Sequence, residues 1–144
     1  MHMRILVIAT VVLGSSLAWA DTIEEKRVKE QAEKMAADRI KRLNKNCKTS
    51  VPGTGYIDWS SWEGKTDKAD NACKWVLFAT ANLCRSDKIA QETVAKNVKR
   101  MVCKGDSTDD ITFELKGTKL VIHTLDGAKD SEKKTKAWLT KNLE

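Results

Sequence analysis

Four cysteines, Cys47, Cys73, Cys84 and Cys103, constrain this chain more than any other feature. They are spread across the middle of the sequence with gaps too long for the close ligand pairs of a zinc site, and no C-x-x-C occurs. The expectation is therefore two disulfides and no metal.

The chain also opens like an exported one. Arg4 is followed by an apolar run from Ile5 to Leu13, a Gly14-Ser15-Ser16 break and then Ala18-Trp19-Ala20. That order matches a cleavable signal peptide over residues 1–20, with cleavage before Asp21. The run is shorter than the roughly 20 apolar residues of a membrane span. Residues 21–144 are then one domain of a periplasmic or secreted protein, with no transmembrane segment. Loss of Arg4 lowers the formal net charge from +6 to +5. Lysines and acids interleave along the whole chain, a pattern of solubility and not of a nucleic-acid footprint.

Thr22 with Glu25 reads as a capping box, so a first helix is expected from Ile23 to about Asn44–Asn46, with Val28, Ala32, Met35, Ala36, Ile40 and Leu43 recurring at helical spacing. Pro52, Gly53, Gly55 and Gly64 break the stretch 48–65 into a long loop. Thr66 or Asp67 caps a central core helix running to about Leu83. Ser86 or Asp87 caps a third, whose buried side is Ile89, Ala90, Val94 and Val98. From 98 to 104 the chain either continues this helix or turns into a strand.

Ile111, Phe113 and Leu115 alternate with polar residues, as do Leu120, Ile122 and Thr124. A two-residue Gly117-Thr118 turn pairs Leu115 with Leu120 and Phe113 with Ile122. A last helix from about Ser131 to Asn142 presents Trp138, Leu139 and Leu143. The fold class is α+β: an N-terminal helix, a helical pair, an antiparallel hairpin with a third strand as an option, and a C-terminal helix.

Cys73 and Cys84, eleven residues apart on one helix, cannot reach each other. A third helix unbroken to Cys103 favours Cys73 with Cys103 and Cys47 with Cys84. A strand there favours Cys84 with Cys103 and Cys47 with Cys73.

Chemistry-bearing residues are few. His123 is the only histidine after residue 20, predicted on the hairpin's polar face opposite Thr112, beside Glu114. Asp58, Glu63, Asp67 and Asp70 offer carboxylates for sugar hydrolysis, and a hydrolase requires two of them to converge in a cleft. No phosphate-binding glycine loop is present, and no cofactor is implied. The densest feature is Tyr56-Ile57-Asp58-Trp59-Ser60-Ser61-Trp62, three rings within seven residues. Tyr56, Trp59 and Trp62 either fold down as a lid on a small core or form a binding platform for a protein or an envelope polymer. These features point to an exported, non-catalytic binding protein of inhibitor, immunity or adaptor type. The alternatives are an envelope hydrolase, and an electrostatic module using the lysines of residues 26–48 or 129–141 against anionic surfaces.

Overall fold

A computed structural model describes the backbone of residues 3–143 and the side chains of residues 22–143. The side chains of residues 1–20, where a signal peptide is expected, lie outside the described set. Helix α1 spans Met3–Cys47, α2 Ala69–Ser86, α3 Lys88–Asn97 and α4 Ser131–Asn142, with strands β1 Arg100–Lys104, β2 Thr112–Lys116 and β3 Lys119–His123. The class is α+β.

The start of α1 differs from the capping-box expectation. A cap needs extended backbone ahead of the helix, and no helix breaker stands between Ala18 and Glu25, so the helix runs through Thr22 without interruption. Glu25 is engaged elsewhere, by the ammonium of Lys29 at 3.1 Å and the hydroxyl of Thr66 at 3.2 Å. The helix ends at Cys47, where Lys48 takes the left-handed conformation (φ 55°) common just past a helix C-terminus. Its buried stripe is Ala32, Ala36, Ile40, Leu43 and Cys47, packed on α2.

The loop of residues 48–65 contains a short 3₁₀ turn, Trp59–Trp62, and is fastened along its length. The Asn44 side chain both donates to the Val51 carbonyl (2.8 Å) and accepts from its N–H (2.9 Å). Further on, Cys103 N–H donates to the Tyr56 carbonyl (2.6 Å) and Asp58 N–H to the Cys103 carbonyl (3.0 Å), which adds residues 56–58 to the edge of β1.

Helix α3 begins where expected, with the Asp87 carboxylate accepting from Ile89 N–H (2.9 Å) and Ala90 N–H (3.1 Å). Ile89 is not on its buried side, however, and is 67% exposed. It precedes the buried Val94 by five residues, about 140° around a helix. At Val98 the backbone turns extended and the option of a strand is realised as β1.

Strand order is β1-β3-β2, with β1 parallel and β2 antiparallel to β3. The hairpin register is as expected: Leu115 opposite Leu120, Phe113 opposite Ile122, and Thr112 opposite His123. Met101, Cys103, Leu120 and Ile122 face the helices and are buried. Phe113 is half-buried against Trp138 of α4, ring centroids 5.4 Å apart.

The disulfides are Cys47–Cys84 and Cys73–Cys103, and no described cysteine is free. This is the pairing expected of an unbroken helix, reached instead through a strand. The expectation that a strand leads to Cys84–Cys103 is corrected: alternation along β1 turns Cys103 inward, where it meets Cys73 in the second turn of α2 and not Cys84 near that helix's end.

Candidate binding surface

The aromatic loop contributes mainly to the core. Tyr56 is 1% exposed and donates its hydroxyl proton to the Cys73 carbonyl at 2.7 Å. Trp62 is fully enclosed, and its Nε1 has no hydrogen-bond partner, so the ring contributes packing area and not polar recognition. It lies flat against Gly105, where an added Cβ would come within 2.5 Å of the ring. Trp59 is half-buried, donates from Nε1 to Glu33 at 2.7 Å and has the Lys29 ammonium 5.9 Å from its centroid. Of the two alternatives for this loop, Tyr56 and Trp62 take the lid and present no surface, while Trp59 keeps part of one. The reason is physical, since a domain of this size gains more from enclosing two large rings than from solvating them.

Among the described residues the one exposed ring stands instead on α2, beside a half-buried one. Trp75 is 39% exposed, and Phe78, one turn on, meets it edge-to-face with centroids 5.9 Å apart. Cations flank both: the Lys74 ammonium lies 4.9 Å from the Trp75 centroid and the Arg39 guanidinium 5.4 Å from that of Phe78. Arg39 is held in place by Asp70 at 2.5 Å. Met35, 37% exposed, stands one turn before Arg39 on α1. Sequence reasoning treated α2 only as a core helix and missed this pair. The signal was available: Asn71, Trp75, Phe78, Asn82 and Arg85 recur at helical spacing, and the polar members mark a solvent-facing stripe on which both rings fall.

His123 is set between two carboxylates. Its Nδ1 is 2.8 Å from Asp106 and its Nε2 3.5 Å from Glu114. A histidine oriented by an acid is half of a nucleophilic arrangement, but a carboxylate stands where the hydroxyl or thiol would be needed. The acids of the hydrolase reading have separate partners: Asp58 is with Ser60 (2.6 Å) and Lys104 (3.8 Å), Asp67 with Lys68 (3.8 Å) and Asp70 with Arg39, while Glu63 is exposed. Asp110 is held by Lys134 at 2.7 Å, and that ammonium, with the Ile111 N–H, keeps its carboxyl below the usual range.

The lysines of the electrostatic reading are interleaved with acids: Lys26 with Glu30, Lys29 with Glu25 and Lys136 with Glu132. Among the described residues, no group of three or more His, Cys, Asp or Glu side chains is placed to hold a metal ion, and no helix is long and apolar enough to cross a membrane. No family model, curated protein or solved structure matches the chain.

Proposed function

We propose that this chain is an exported, non-catalytic binding protein of inhibitor, immunity or adaptor type, and that its contact surface is the Trp75–Phe78 patch. The observation that carries the reading is Trp75 itself. It is the one aromatic among the exposed large apolar side chains of the described residues, and it sits mid-helix on a frame that two disulfides cross-link. Tryptophan on a pre-ordered surface is the residue type that dominates binding hot spots, because it buries a large area at little entropic cost. Arg39 and Lys74 beside the rings favour a partner protein with an apolar recess rimmed by acidic side chains.

Export agrees with the two disulfides, which belong to a non-reducing environment. The signal segment over residues 1–20 and the mature domain from Asp21 complete the reading.

The test begins with capture from envelope and culture-supernatant extracts by the disulfide-bonded protein, followed by titration of the isolated partner. Trp75→Ala is expected to weaken binding by at least about tenfold, while Trp59→Ala leaves it within about threefold. Loss in Trp59→Ala with binding kept in Trp75→Ala returns the surface to the aromatic loop. Retention that vanishes with moderate salt in every variant replaces this reading with the electrostatic one.

A further inference from the structure

The sheet has one covered edge and one open edge. Residues 56–58 run along β1, whereas among the described residues β2 has β3 as its only strand neighbour. The two-residue turn, with Gly117 at φ 63°, makes Lys116 and Lys119 the hydrogen-bonded pair that closes the hairpin. By alternation Glu114 and Thr112 also bond inward. The backbone N–H and C=O groups of Phe113 and Leu115 therefore point outward along the free edge. An unpaired row of this kind is a template for another strand.

Two features at this edge say what covers it. Beside Leu115, on the core side of the sheet, lies a groove of about 800 Å³ lined by Ile89, Glu92, Lys96 and Leu143. Ile89 is the most exposed large apolar side chain among the described residues. On the outer face, Glu114 and Lys116 are both exposed and stand 3.6 Å apart along the strand.

We propose that β2 is the contact strand of a homodimer, with a second copy adding its own β2 antiparallel across this edge and Leu115 on the twofold axis. Charge selects both the occupant and the register. With Leu115 opposite its counterpart, Glu114 faces the partner's Lys116 and Lys116 faces the partner's Glu114, so symmetry makes two opposite-charge pairs from one. A shift that puts Glu114 on the axis opposes two carboxylates instead. A shift by one residue sets the apolar face of one strand against the polar face of the other. In the favoured register Leu115 bonds its counterpart through the outward backbone groups, the two leucines meet above the paired grooves, and both copies of Ile89 are removed from water.

Sedimentation equilibrium of the disulfide-bonded protein tests this, with Glu114→Lys, Lys116→Glu and the double swap as variants whose fold is checked by circular dichroism. The wild type is expected to show a concentration-dependent dimer. Each single reversal makes both cross-strand pairs like-charged and raises the dimer dissociation constant by roughly tenfold or more, and the swap returns it to within about threefold. A monomer up to about 1 mM, a dimer indifferent to the single reversals, or a swap that does not restore association each overturns the proposal. None of these outcomes bears on the Trp75 patch, which lies on a different element.

Discussion

Tyr56 donates its hydroxyl proton to the main-chain carbonyl of Cys73, tying the aromatic loop to the helix residue that also carries the central disulfide. Burial pushes its phenol well above the usual value near 10, with Arg39 acting weakly in the opposite direction and Asp70 adding to the rise. The folded chain thus holds this proton more tightly than the unfolded one. The stabilisation is complete below about pH 10 and is lost as the pH climbs from there towards the folded-state value. Tyr56 is the only tyrosine. Its near-ultraviolet tyrosinate absorbance is therefore expected to stay absent at about pH 11 and to appear only together with unfolding. Tyr56→Phe is expected to cost about 1–2 kcal/mol at neutral pH and to remove this part of the alkaline loss of stability, read by urea titration across the pH range.

The cross-link between Cys73 and Cys103 holds the sheet to α2, its Cα atoms 6.0 Å apart and 30 residues apart in sequence. Cys47–Cys84 closes 37 residues and holds the end of α1 to the end of α2. Loop-closure entropy assigns roughly 3–4 kcal/mol to each bond through the unfolded state. Replacing either pair by alanine is expected to lower unfolding stability by about that amount. Reduction of both is expected to remove most of the few kcal/mol that a domain of this size retains, so dithiothreitol should shift the urea midpoint far more than either double variant does.

What was legible in the sequence follows from how local each signal is. The hairpin register could be read because alternation, turn length and apolar match all act within a dozen residues of Gly117. The length of β1 and its neighbours could not, because a parallel pairing with β3 and a bridge to Ile57 depend on segments far away in sequence. Both disulfide pairings therefore stay open in the sequence, and the one present is the one an unbroken helix favours, although the chain has a strand there. The aromatic loop shows the same limit from the other side. A run such as Tyr56-Ile57-Asp58-Trp59-Ser60-Ser61-Trp62 has no periodicity that separates inward from outward rings. Trp75 and Phe78 do lie on a readable helical stripe, but the apolar residues around them on α2 mask it.

Gly105 exists to make room for Trp62. Its N–H donates to the Ser61 hydroxyl (2.9 Å) and its carbonyl accepts from Lys65 Nζ (2.5 Å), so the backbone is pinned from both sides while the indole lies over its Cα. Gly105→Ala would set a methyl group within 2.7 Å of several ring atoms that belong to a fully buried side chain with no room to move. The expected cost is about 2–3 kcal/mol, measured by urea or thermal unfolding and accompanied by a change in tryptophan fluorescence. Gly53→Ala is the control. Its Cβ would meet Ala37 at an ordinary 3.7 Å, and its stability is expected to stay within about 1 kcal/mol of wild type.

The division of labour between the rings supplies the most direct contrast. Trp62 is enclosed and Trp75 is not, although Trp62 stands among polar residues in the sequence and Trp75 among apolar ones. Trp62→Ala is expected to cost about 3–5 kcal/mol, since it removes a large buried ring and leaves a cavity between the loop and Gly105. Trp75→Ala loses an edge contact with Phe78 and one cation over its face, and is expected to change stability by less than about 1 kcal/mol. Unfolding curves for the two variants, measured beside the partner titration, separate a ring that holds the fold from one that is free to act. If Trp75→Ala destabilised the chain as much as Trp62→Ala, the patch on α2 would be part of the core and the case for it as a contact surface would end there.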